Sequence, residues 1–214
     1  MMLRGKMLRA ASKQSPELIG YINGVDLSGS YSLNISSLGV HAGDIGIFVA
    51  DQLYYGSVIE TPSGFTRLEN AYSSGTQNDL HLFARVMNGT ETEVSGSGSS
   101  GDIAMQFMLW RNAAYNGVTE KSNVASNLPP MATAPDDVAI VSVGMTTDSS
   151  DPPPTYTVPS GYVGLDLAGN TSVGSYVATA YNKSPAIPSE DPPGWSPSGE
   201  DGRAAVGLVL SRAG

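Results

Sequence analysis

The sequence contains no cysteine. Disulfides, thiol nucleophiles and thiolate-bound metals are thereby excluded. It has no run of 18 apolar residues, so no membrane-spanning helix is expected. The N-terminal stretch MMLRGKMLRAASK is basic but lacks the apolar core of a secretory signal, and none is expected. Charged residues make up only 14%. That scarcity argues against a disordered chain, which normally combines high charge with few apolar runs. With two histidines and no cysteine, a zinc site of the usual kind lacks ligands.

What remains is a chain of 214 residues that is 40% hydrophobic and carries 25 glycines and 14 prolines. This mix suits short strands joined by many turns. Charge is segregated. Arg4, Lys6, Arg9 and Lys13 fall in an N-terminal segment without an acid, and the rest holds 7 cations against 20 acids, a net of −13. A body this acidic repels nucleic acid. Residues 1–20 read as a basic arm, either docked on an acidic neighbour (another copy of the chain, for instance) or solvated as a frayed terminus.

The strongest internal signal is a duplication. DIGIFVAD at 44–51 resembles DVAIVSVG at 137–144, and Pro62-Ser63-Gly64-Phe65 resembles Pro159-Ser160-Gly161-Tyr162. LHLFARV at 80–86 matches SYVATAY at 175–181, and DIAMQFML at 102–109 matches RAAVGLVL at 203–210. The four offsets are 93, 97, 95 and 101, in the same order along the chain. The β-branched runs read as buried strands. In the Pro-Ser-Gly-aromatic segments, proline fixes φ, glycine accepts positive φ, and the ring turns back onto the core.

Alternation supports strands: Ile103, Met105, Phe107 and Leu109 share one face, and Ala104, Gln106, Met108 and Trp110 the other. In the second copy Ala204, Val206, Leu208 and Leu210 point inward. Further strands are expected at 17–25, 31–35 and 65–72, with a short helical turn at most near 118–126 and a linker over 115–135. Each half alone is a small sheet with one apolar face. Packing the halves (about 38–113 and 135–212) face to face, or interleaving their strands, gives one all-β domain, an antiparallel β-sandwich of about 8–10 strands over residues 21–214. Segments 146–159 and 183–202, rich in proline and acid, are expected to be extended, exposed loops.

The chemical motifs are weak. GSGSSG at 96–101 fits the dinucleotide-binding glycine template but is followed by a strand-like run rather than a helix, so a hairpin loop is expected. His41 and His81 read as structural. The acid pairs Asp136-Asp137, Asp148 with Asp151, Glu190-Asp191 and Glu200-Asp201 do not follow the EF-hand spacing, and solvated loops are the preferred reading over calcium sites. No G-x-S-x-G elbow is present, no serine stands out as activated, and no catalytic residue or cofactor is assigned. The candidate contact residues are the loop aromatics Tyr54, Tyr55, Tyr156 and Trp195. They suit a protein interface or, less well, a sugar, or else fold back over the ends of the core.

The order of these elements is similar to a group of phage tail and virion-associated proteins. The shared pattern is Gly43-Asp44 opening a strand, the turn Pro62–Phe65, and the segment Ala114-Tyr115-Asn116-Gly117-Val118. A degenerate second copy follows in that group, as here, and the similarity covers most of residues 38–212. The resemblance implies a jelly-roll-like or related sandwich mounted on a virion made in the bacterial host cytoplasm, non-enzymatic, serving as capsid decoration, tail element or fibre domain. The implied partners are copies of itself and other virion proteins. A carbohydrate or host-receptor binding module is the alternative, and neither reading requires a metal, a nucleic acid or a membrane span.

Overall fold

A computed structural model describes residues 14–53, 58–73, 78–98, 102–123, 128–148, 151–172, 174–196 and 202–214. In chain order the strands are β1 (Glu17–Asp26), β2 (Ser30–Asn34), β3 (Ala42–Leu53), β4 (Thr66–Ser73), β5 (Asn78–Asn88), β6 (Glu93–Ser97), β7 (Ile103–Arg111), β8 (Ala113–Ser122), β9 (Met131–Ala132), β10 (Val138–Thr146), β11 (Val163–Gly164), β12 (Ala168–Asn170), β13 (Ser175–Asn182), β14 (Ser189–Glu190) and β15 (Gly202–Arg212). The only helical element among the described residues is a 3-10 turn at Ser36–Leu38.

The strands form two large antiparallel sheets. The first runs β1-β7-β3-β5-β4 and the second β8-β15-β10-β13-β11, with β12 also on β13. The order is the same in both. In each half the DIGIFVAD-type strand is central, flanked by the two other strands that the duplication pairs. Both Pro-Ser-Gly-aromatic segments are turns closed by the aromatic N–H on the proline carbonyl, at 3.0 Å for Phe65 and 3.1 Å for Tyr162. Gly64 and Gly161 take φ of 78° and 83°, which only glycine adopts without strain. Phe65 and Tyr162 are both buried.

The sheets stack through their inner faces. Ile45, Ile47, Val49, Leu80, Leu82, Met108 and Trp110 meet Val138, Ile140, Val177, Val206, Leu208 and Leu210 in one central core. β3 lies over β13 and β10, and β5 over β10 and β15, so the halves are related by a pseudo-two-fold axis through the sandwich. Each outer face is covered as well. The β2–β6 pair brings Tyr31, Leu33 and Val94 onto Phe48, Phe83 and Phe107. The β9–β14 pair and its flanks bring Leu128, Met131, Tyr162 and Trp195 onto Val141, Val143 and Tyr176. With apolar layers on both sides, the central strands carry nearly continuous hydrophobic runs.

Three expectations need correcting. The segment read as a linker with a helical turn, 115–135, contains the edge strand β8 and the short β9. The duplication is longer than 38–113 and 135–212, because β1 flanks β7 as β8 flanks β15; β1 also begins at Glu17, inside the stretch read as arm. The fourth matched pair is one residue out of phase. Ile45 pairs with Trp110, and Val138, its counterpart, pairs with Leu210. Trp110 rather than Leu109 is therefore the equivalent of Leu210, and both point into the central core.

Candidate functional site

Two buried polar clusters sit at one end of the first sheet. On the inner face, at the end of β3, Asp51 is fully buried between the halves. Asn78 Nδ2 donates to its Oδ1 at 2.7 Å and Ser175 Oγ to its Oδ2 at 2.7 Å, with the Tyr176 backbone N–H as a further donor. Burial drives this carboxyl well above the ordinary carboxylate range, and the charge of Asp79 adds to the shift; the Ser175 and Asn78 hydrogen bonds oppose it without cancelling it. The buried site therefore favours the protonated form of Asp51 over its carboxylate.

On the outer face of the same strands, Asn70 Nδ2 donates to Asp79 Oδ1 at 2.7 Å, and His81 Nε2 lies 3.4 Å from the same oxygen. His81 is 1% exposed and stacks on Phe83, ring centroids 6.0 Å apart. The two clusters do not combine. Strand alternation sends Asp79 and His81 outward and Leu80 and Leu82 inward, so the imidazole and the Ser175 hydroxyl lie on opposite faces of the sheet. Ser175 donates to a carboxyl group, not to a histidine. The structural role expected for His81 agrees with this packing.

A third arrangement occurs at the other end, once in each half. The carboxylate of Asp44 accepts from the backbone N–H of His41 at 2.9 Å, and Asp137 accepts from Ala134 N–H at 2.8 Å. In each case the aspartate's own backbone N–H donates back to the carbonyl of that same residue at 3.2 Å, closing a reciprocal turn at the start of the central strand. Asp44 also takes two hydrogen bonds from Arg111, at 3.0 and 2.9 Å. Burial acts to raise its pKa and is outweighed by Arg111 and the His41 N–H, leaving it below the usual carboxylate value. In the second half the arginine falls one residue aside, and Arg212 reaches Asp136 at 3.0 Å.

Of the residues singled out in the sequence, Arg4, Lys6, Arg9, Lys13, Tyr54 and Tyr55 lie outside the described residues. Trp195 is 4% exposed and belongs to the outer core of the second half. Tyr156 is half-buried beside it, ring centroids 5.7 Å apart, with its hydroxyl donating to the Leu165 carbonyl. These two rings close over the second sheet. Of the segment 183–202, the described part 183–196 is partly folded back: Glu190 is buried and accepts from the Tyr162 hydroxyl at 2.9 Å and from Ala186 N–H at 2.6 Å. In GSGSSG, Gly96 and Ser97 belong to β6, which pairs with β2, whereas the next strand, β7, lies between β1 and β3, so the segment joins two different sheets and is not the hairpin loop expected. Among the described residues no three His, Asp or Glu side chains gather into a possible metal site.

Sequence reasoning pointed to the edges of the sandwich as contact surface but named none of the strand-edge residues there. The sheet edges are β1 and β4 in the first half and β8 and β11 in the second. Exposed apolar side chains occur along these edges, with Val25 on β1, Leu27 just beyond it, Tyr72 on β4 and Val163 on β11. Val25 and Val163 carried a readable signal, a β-branched residue where the core has no face left to fill. Neither a family model, a curated protein nor a solved structure matches the chain.

Proposed function

We propose that this chain is a structural component of a phage virion, a capsid decoration, tail or fibre element, that works through contacts between subunits. The observation that carries this reading is the placement of apolar surface. The two halves hide each other's inner faces and the small sheets hide the outer ones, while Val25, Leu27, Tyr72 and Val163 stay exposed along the edges. Unpaired strand edges are ready templates for neighbouring chains, and exposed apolar residues beside them mark contact surface. The order of Gly43-Asp44, Pro62–Phe65 and Ala114–Val118, similar to virion-associated proteins, supports the same reading. So does the acidic body, which favours protein neighbours over nucleic acid.

The test is sedimentation. The purified chain is expected to form a discrete oligomer or to co-sediment with phage particles, and Tyr72→Lys together with Val163→Lys to weaken that association while leaving the circular dichroism unchanged. A monomer that never co-sediments with particles would contradict the proposal.

A further inference from the structure

The pseudo-two-fold axis allows each side of the central core to be compared with its mate. The register fixes the equivalences twice over. Ile47 pairs with Ala84 as Ile140 pairs with Tyr181, and Thr66 pairs with Ala84 as Val163 pairs with Tyr181. Ala84 therefore stands where the second half has Tyr181. By the same pairing Leu210 corresponds to Trp110, and Tyr115, opposite Leu210, corresponds to Leu18, opposite Trp110.

At one rim of the sandwich the three positions hold Tyr181, Trp110 and Leu18. The Tyr181 ring meets Trp110 edge to face, centroids 5.3 Å apart. At the other rim they hold Ala84, Leu210 and Tyr115. Position by position, Ala84 stands for Tyr181, Leu210 for Trp110 and Tyr115 for Leu18, so the second rim has one tyrosine and one leucine as the first does but lacks the bulk of the indole. The second rim has a cavity of about 220 Å³ lined by Ile45, Leu68, Ala84, Arg85, Val86 and Tyr115 among others. Arg85, next to Ala84 in the strand, turns to the other face of the sheet, where its guanidinium lies over the Phe65 ring and holds Glu91 at 2.6 Å and the Ser63 carbonyl at 3.0 Å, while Val86 is 68% exposed.

We propose that this cavity is a binding site for a planar aromatic ring of indole size. The walls are apolar, as ring burial requires. Tyr115 offers an aromatic partner of the kind Tyr181 and Trp110 give each other. The site stands on this cavity alone and does not depend on membership of a virion.

The test uses the full chain, labelled with nitrogen-15 and titrated with 3-methylindole, N-acetyltryptophanamide and, as an aliphatic control, cyclohexylmethanol. 3-Methylindole is expected to shift the amides of Thr66, Ala84 and Val86 saturably and to bind at least tenfold more tightly than the control. Binding of N-acetyltryptophanamide as well identifies a tryptophan side chain of a partner as a source that fits, whereas binding of 3-methylindole alone identifies a free indole. Ala84→Trp is expected to abolish the shifts and raise the melting temperature, with Ala84→Val as a smaller filling that weakens binding without crowding the fold. Absence of saturable shifts in the natural chain, equal binding of the aliphatic control, or full binding by both Ala84 variants would each overturn the site.

Discussion

The carboxyl group of Asp51 occupies the space in front of Gly144: a Cβ on that glycine would lie 2.3 Å from Asp51 Oδ1. The two residues are equivalents in the duplication. Asp51 pairs with Leu80 and Ala104, and Gly144 pairs with Val177 and Ala204 at the matching positions. Two identical halves would set one buried carboxyl against another, and like charges that close cannot both ionise. Covalent fusion lets the two positions diverge, so one half supplies the acid and the other the room for it. Gly144→Ala is expected to destabilise the chain by about 1–3 kcal/mol through overpacking. Because the clash is with one side chain, Asp51→Ala should relieve part of the penalty. Additive losses in a double-mutant cycle, read by urea unfolding, would show that the contact is unimportant.

Asp51 also sets a pH dependence. Its folded pKa is raised by burial. Its contribution is therefore most favourable below the ordinary aspartate value of about 4 and is lost as pH rises from there through the folded value, because only the unfolded state then ionises freely. Asp51→Asn keeps the shape, the acceptor for Asn78 and a donor toward Ser175, and has no proton to lose. The variant is expected to be more stable than the natural chain at pH 7 and to show no such gain at pH 3. Melting temperatures across pH 3–8 provide the check, and a variant less stable at pH 7 would mean that the carboxyl contributes more than its desolvation costs.

Asp44 works in the opposite direction. Its folded pKa is lowered, because the Arg111 and His41 donors overcome the burial term. The stability it contributes is present above the ordinary aspartate value and is lost as pH falls through the folded value. Arg111→Met removes two hydrogen bonds to a nearly buried carboxylate and is expected to cost about 1–3 kcal/mol at pH 7. The loss should shrink as pH falls through the folded value and the carboxylate takes up its proton. A deficit that stays constant with pH would mean that Arg111 acts through packing of its stem and not through its charge.

The central strands were legible in the sequence because apolar layers cover both faces, which leaves β3, β7, β10 and β15 as apolar runs that few other structures would accommodate. The same property hid their phase. When both faces are apolar, a shift by one residue leaves the pattern almost unchanged although it turns every side chain over. Matching Leu109 to Leu210 was therefore as good in sequence as the observed match of Trp110 to Leu210. Strand β8 was missed for the opposite reason. It is an edge, it carries Asn116 and Gly117, and few of its residues are fully buried, so neither alternation nor an apolar run announces it. Asp51 did carry a signal, an acid closing an unbroken apolar run, but its partner Ser175 is distant in sequence and only the stacking of the halves brings them together.

The last prediction separates packing from display at Trp195. A ring offered to a sugar or a partner contributes little to the isolated fold, whereas one seated in a core contributes its full burial. Trp195 packs with Leu128, Met131, Tyr162 and Tyr176, and Tyr156 leans on its face. Trp195→Ala is expected to cost about 3–5 kcal/mol through the cavity it leaves. Tyr156→Ala, which removes a half-buried ring and one hydrogen bond to the Leu165 carbonyl, should cost less. Denaturant unfolding of both variants measures the difference. A Trp195→Ala chain as stable as the natural one would show that the indole is not held in the core, and would return this residue to the surface as a contact for a ligand.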